Sequence, residues 1–191
     1  MEFLINFISD FSHLPQKSID RFIALITLQE FKKKDAIALI GEVPENFFIL
    51  KSGVVRSFYV DENGKEYIRN LFTPIRTTGA LSALILEKPS RLSYDCLTDC
   101  EVYAINFKKF KALTKSDKNI AVLYANVLEN IFLILESKIY DLSVLNATDR
   151  YLKLKKQMPG IENLIPQYYI ASYLNITPVQ LSRIRKELYS K

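Results

Sequence analysis

From Asp117 to Asn146 the chain runs for thirty residues without a glycine or a proline. That spacing predicts one long helix, about 45 Å from end to end. Two apolar stripes run along its turns: Leu123, Val127, Ile131 and Ile134 on one line, and Leu128, Phe132, Leu135, Ile139 and Leu142 on another. A helix packed on a single body needs one stripe. Two stripes imply that it lies on its own domain and also pairs with a second helix, most simply its own copy across a two-fold axis. The dimer seam is read as Leu123, Val127, Ile131 and Ile134. The competing reading is a central buried helix of a monomer.

The chain before the long helix has a different rhythm. Residues 2–12 read as a short helix ended before Pro15, and Ser18 reads as the cap of a second one carrying Phe22, Ile23, Leu25 and Ile26. From Phe31 onward short runs rich in Ile, Val, Phe and Tyr are broken by Gly41, Pro44, Ser52-Gly53 and Asn63-Gly64. Regular short strands between turn signals predict an all-β sandwich or barrel, with its firmest hairpin at Asn63-Gly64. A loop, a short helix at 80–86, strands near 92–98 and 101–106 and a brief helix over 107–113 complete this part.

After the long helix the chain is short and basic. Thr148 reads as the cap of a helix that ends at Pro159-Gly160. Residues 164–188 then read as two short helices and a tight turn, with Ile170, Leu174, Ile176, Leu181 and Ile184 meeting between them and Ala171 allowing close approach. Asn175 suits left-handed backbone at the turn, and Thr177-Pro178 is an N-cap with proline in the first helical position. The second helix then exposes Val179, Gln180, Ser182, Arg183 and Lys186. This is the pattern of a helix-turn-helix that enters the major groove of DNA.

Charge supports that division. Residues 1–149 hold 18 Lys/Arg against 19 Asp/Glu, whereas residues 150–191 hold 8 against 2. The positive excess belongs to the last segment, the electrostatic footprint of a polyanion-binding unit. With 49% apolar and 25% charged residues the chain reads as globular. His13 is the single histidine, so metal-dependent barrel chemistry and His-based nucleophilic triads lack their residues, and no phosphate-binding loop motif occurs. Catalysis is not expected, nor is a metal. Cys96 and Cys100 make no disulfide framework. The N-terminal stretch is too short and interrupted for a signal peptide or a membrane span, so the cytoplasm is expected.

The order of parts resembles the cyclic-AMP receptor protein (Crp/Fnr) family of bacterial transcription regulators. The likeness is carried by FFILKSGVVRSFYVDENGKEYIRNLF, PSRLSYDCLTDCEVYAINFKKF, ATDRYLKLKK and YYIASYLNITPVQLSRIRKEL. It implies an α+β fold: an N-terminal cyclic-nucleotide-binding-like β-roll with N-terminal helices over residues 1–114, a dimerisation helix over 115–146, and a helix-turn-helix domain over 147–191 without an evident β-wing. It also implies a homodimer on a palindromic site in double-stranded DNA, with RNA polymerase as a further partner. In that reading Val179, Gln180 and Arg183 meet base edges, while Gln167, Thr177, Ser182 and Lys186 meet phosphates.

The same resemblance locates a ligand cassette and shows it to be degenerate. Family members that bind cyclic nucleotides carry Gly-Glu, a short helix, then Arg-Ser or Arg-Thr. Here the corresponding positions are Gly79, Ala80, Leu81, Ser90, Arg91 and Leu92. Ala80 replaces the carboxylate, the arginine is displaced by one residue, and the base-contacting hydroxyls fall on Leu135 and Glu136. Cyclic nucleotide is therefore not the expected effector. Two cysteines are too few for an iron–sulfur cluster, and His13 lies in a loop, away from a haem-ligand position. The competing function is a ligand-sensing roll that acts through a partner protein with weak or no specific DNA binding.

Overall fold

The structure, a computed structural model, describes residues 2–189. Helices α1 (Glu2–Phe11) and α2 (Gln16–Ile23) lead into β1 (Ile26–Phe31), β2 (Ala36–Ala38), β3 (Asn46–Ser52), β4 (Val55–Val60), β5 (Glu66–Phe72) and β6 (Thr77–Thr78). Then come α3 (Leu81–Leu86), β7 (Ser93–Cys96) and β8 (Cys100–Asn106). The helical remainder is α4 (Phe107–Ser116), α5 (Lys118–Val144), α6 (Ala147–Gln157), α7 (Ile161–Leu164), α8 (Gln167–Tyr173) and α9 (Pro178–Tyr189).

The strands form two four-stranded antiparallel sheets, in the orders β1-β8-β3-β6 and β2-β7-β4-β5. Phe48, Leu50, Val55, Cys96, Val102 and Ala104 fill the space between them. The β4–β5 hairpin turns where Asn63-Gly64 indicated: the Asp61 carboxylate accepts from the Asn63 and Lys65 amides at 3.0 and 2.9 Å, and Gly64 has φ +78°. Gly53 is required on two counts. Its φ is +92°, and a Cβ there would lie 2.4 Å from the Asp99 carbonyl oxygen and 2.5 Å from the Cys100 sulfur. Cys96 and Cys100 are free, buried thiols.

The amino-terminal helices close one end of the roll. Leu4, Phe7, Ile8 and Phe22 share a core with Phe107, Phe110, Leu113, Ile120 and Leu123. Ser18 is not the cap of α2, which begins earlier, at Gln16 after Pro15. Its hydroxyl instead donates to Asp117, at 3.1 Å from each carboxylate oxygen. Asp117 caps α5 by accepting from the Asn119 amide and pairs with Arg21 at 2.9 Å. Partial desolvation opposes its charge, but the hydrogen bonds and Arg21 outweigh it and hold its carboxyl below the usual range.

The long helix is present, but the stripe that faces inward is the one read as the dimer seam. Leu123 is 2% exposed in the chain's own core, and Val127 packs on the same cluster. Ile131 and Ile134 on that line are partly buried. The reason is α1, which lies along this side and whose Phe11 carbonyl accepts from Asn126 at 2.7 Å. The second stripe faces solvent, with Phe132 at 62% and Ile139 at 67% exposure. Among the described residues α5 is the one helix long and apolar enough to cross a membrane. Its first turns are committed to the core beneath the roll.

Asn146, rather than Thr148, caps α6; its side chain accepts from the Asp149 amide at 3.0 Å. Both residues are good caps, and Asn146 stands three residues before the free amide it reaches. Tyr151, Leu154, Met158, Ile161, Ile165, Ile170, Ala171, Leu174, Leu181 and Ile184 form the core of the C-terminal unit. That core does not end at the unit's edge. Val54, Phe58, Ile68, Leu71 and Leu97 of the roll belong to the same buried cluster.

Candidate nucleic-acid interface

The helix-turn-helix is built from its turn outward. Leu174 ends α8, Asn175 takes φ +55°, and the Ile176 amide returns to the Ala171 carbonyl at 3.0 Å. Asn tolerates this left-handed geometry better than any other residue with a Cβ. A reciprocal cap then starts α9: the Thr177 hydroxyl accepts from the Gln180 amide at 3.1 Å, and the Gln180 side-chain oxygen accepts from the Thr177 amide at 2.9 Å. Ile170 and Ala171 are fully buried where the helices touch, with Leu181 at 1% exposure.

Thr177, Val179, Gln180, Ser182, Arg183 and Lys186 are all exposed on one side of this unit. Gln180 is less free than its sequence position indicates, because its side chain is engaged at its own helix start. Arg185 is withdrawn from the face by an ion pair to Glu162 at 3.3 Å, which also meets Lys155 at 3.7 Å and the Tyr151 hydroxyl. Among the described residues, Arg183 and Lys186 are the cations of α9 without an acidic partner. An open cleft between α9 and the start of α6 is lined by Asn146, Thr148, Gln180, Arg183 and Glu187. Gln167 departs from its expected role. Its side-chain nitrogen donates to the Glu162 carbonyl at 3.3 Å and its oxygen is buried, so the amide points inward and not toward a phosphate.

The cassette residues scatter. Gly79, at φ +127°, sits so close to β3 that a Cβ would lie 3.3 Å from the Phe47 α-carbon. Ala80 and Leu92 are buried with Ala83 and Tyr94, and Ile37, Ala38 and Phe72 pack on them. The Phe72 and Tyr94 rings lie 6.2 Å apart there. Ser90 is buried but closes on its own loop, donating to the Leu92 carbonyl at 2.7 Å. Leu81 turns the other way, onto the core under α1 and α2, and Arg91 points to solvent. The arginine beside Tyr94 is Arg69 on β5; burial raises the Tyr94 pKa and Arg69 opposes that rise. Arg69 is the residue that the β4–β5 register skips, between Asn70 opposite Ser57 and Ile68 opposite Phe58, and the sequence holds no signal for that bulge.

The family model for the cyclic nucleotide-binding domain matches residues 28–117. The cAMP-activated global transcriptional regulator CRP of Salmonella typhimurium is 26% identical over 145 residues, which cover 73% of this chain and 69% of that protein. Residues 28–117 thus carry a cyclic nucleotide-binding domain, and the matches support a regulator of the Crp/Fnr type. Likeness of fold runs through both halves of the chain. FixK2 from Bradyrhizobium japonicum matches with a TM-score of 0.73 at 21% identity, over 86% of this chain and 85% of that one. A crp/fnr-family protein from Eubacterium rectale matches with a TM-score of 0.70 at 14% identity, over 91% of this chain and 83% of that one.

In the roll Ala80 is buried and carries no carboxylate, and Arg91 is turned to solvent. The C-terminal unit, in contrast, keeps a capped, solvent-facing second helix.

Proposed function

We propose that this protein is a homodimeric, sequence-specific DNA-binding transcription regulator of the Crp/Fnr type that does not require a cyclic nucleotide. The observation that carries the reading is the exposed face of α9, where Val179, Ser182, Arg183 and Lys186 stand free on a rigid, capped helix. Arg183 is the base reader, because Arg bidentate to guanine O6 and N7 is the commonest specific contact. Thr177, Ser182 and Lys186 are placed for phosphates, which set register more than sequence.

Dimerisation rests on the solvent-facing stripe of α5. Leu128, Phe132, Leu135, Ile139 and Leu142 alternate spacings of four and three residues, the period of a two-stranded coiled coil. Phe132, Ile139 and Leu142 are 62%, 67% and 42% exposed in the single chain. A second copy of the same helix covers such a seam self-complementarily. Two recognition helices then address half-sites about 34 Å apart.

The test is selection of bound fragments from random DNA by the purified full chain, without ligand and then with cyclic AMP. A two-fold-symmetric motif enriched without ligand is the expected result. Enrichment only with cyclic AMP overturns the effector-independent part, and no motif in either condition overturns the DNA-binding reading. On the selected site, Arg183→Ala is expected to lose roughly 1–3 kcal/mol of discrimination against random DNA. Equal losses on both would remove Arg183 from base reading.

A further inference from the structure

β5 is an edge strand of its sheet, and such an edge normally presents unpaired backbone groups to solvent. Here α8 covers it. The Ile68 amide, directed away from β4, donates to the Ser172 hydroxyl at 3.0 Å. The neighbouring Arg69 carbonyl accepts from Lys138 of α5, whose ammonium lies 3.9 Å from the centre of the Tyr173 ring. Ile68, Phe58 and Leu71 continue underneath into the core of the helix-turn-helix unit.

At the centre of this contact is Arg56, a charged residue only 4% exposed. It faces its cross-strand partner Asp95 and donates two parallel hydrogen bonds to it, at 2.7 and 2.8 Å. Glu66 accepts a third from the same guanidinium. The guanidinium carbon lies 3.9 Å from the ring centre of Phe58 on its own strand and 4.6 Å from that of Tyr169 on α8. Three polar bonds fix the cation to the roll, and the same cation meets an aromatic residue of the DNA-binding unit. None of this covers the recognition helix, where Val179 is 61% exposed.

We propose that Arg56 and Tyr169 form a built-in latch that holds the helix-turn-helix unit against β5 in a DNA-competent orientation without any effector. This deepens the reading above and rests on it. A ligand shifts a conformational equilibrium only through its differential affinity for the two states. In this chain the difference between docked and undocked units is supplied by its own side chains: the Arg56–Tyr169 stack, the Ser172 bond to the strand edge and the shared apolar core. The latch acts on geometry between units. Two recognition helices docked on one dimer bind a palindrome together, whereas undocked units lose that fixed spacing and behave as two weak, separate binders. Tyr169 and Arg56 are thus positioning residues, with no contact to DNA required of them.

The experiment compares full-length wild type, Tyr169→Leu and Arg56→Met, all without ligand. Binding is measured on the selected palindrome and on one isolated half-site, and amide hydrogen exchange is followed at Ile68. In Tyr169→Leu the palindrome affinity is expected to fall about tenfold, as for a competent state reduced to a tenth of the population. Half-site affinity should not change, and Ile68 exchange should speed up while Ile170 and Leu181 stay protected. Arg56→Met should do the same from the roll side; should it fail to fold, Tyr169→Leu alone decides. Unchanged palindrome affinity with unchanged Ile68 protection overturns the latch. Equal losses on palindrome and half-site also overturn it, because Tyr169 would then only support the unit's own fold. If wild type binds no DNA while Tyr169→Leu still exposes Ile68, the latch contact is supported and the regulator reading is the part that fails.

Discussion

Asn175 and Thr177 show how much a turn of three residues controls. The first places the backbone at φ +55°, and the second starts α9 by a reciprocal bond with Gln180. Asn175→Gly is expected to be neutral to slightly stabilising, since glycine adopts this geometry without a steric cost. Asn175→Ala should cost about 1 kcal/mol, the penalty of a Cβ in left-handed backbone. Urea unfolding of the two variants separates them. Loss of the cap in Thr177→Ala should cost about 1 kcal/mol as well. Gln180 carries a double duty that its position alone does not reveal: a base contact by its side chain would require it to leave the cap.

On the scale of elements, α5 turns one apolar stripe into the core and leaves the other in solvent. Leu123, 2% exposed, lies within the core, so Leu123→Ala should cost about 2–5 kcal/mol in thermal or denaturant unfolding. Ile139, 67% exposed, should behave oppositely. Ile139→Glu is expected to leave each chain folded, by circular dichroism, and to yield monomers in sedimentation equilibrium. A folded dimer in that variant would exclude this stripe as the seam. Lys138 marks where the same helix meets both the roll and α8. Burial, reinforced by Arg69 and opposed by Asp141, pulls its pKa from the ordinary 10.5 down to about 8. Across that interval the unfolded chain holds a proton that the folded chain has released, so this residue makes stability rise with pH from about 8 to 10.5. Below the lower value the folded state carries the burdened charge. The melting temperature of wild type minus that of Lys138→Gln, followed across the same pH range, should therefore increase with pH.

Taken as a whole, the molecule is electrically divided: residues 150–191 hold 8 basic and 2 acidic residues, while the preceding part is nearly neutral. Operator affinity should accordingly fall steeply with salt, by about 0.9 in log–log slope for each phosphate neutralised per site. Lys186→Gln, changed in both chains of a dimer, should reduce that slope by about two and weaken specific and random DNA alike. Isothermal titrations at several salt concentrations measure this. A slope that Lys186→Gln does not alter would place the residue off the DNA.

Local structure was legible in the residues themselves, because short-range rules suffice for it. Strand–turn alternation predicted a sandwich or barrel of short strands with the Asn63-Gly64 hairpin, the resemblance made it a roll, and a long run without glycine or proline predicted α5. Apolar spacing with Asn175, Thr177 and Pro178 predicted the helix-turn-helix. Caps were misread where two suitable residues lay close together, Asn146 before Thr148. Which of two equally apolar stripes α5 turns inward was settled by packing alone, because it depends on α1 lying against it from more than a hundred residues away. Packing likewise turned Arg91 outward, Gln167 inward and Arg69 toward Tyr94. It also brought Arg56 of β4 to Tyr169 of α8, a pairing without any local spacing to announce it, since the two meet through the packing of one unit on the edge of another.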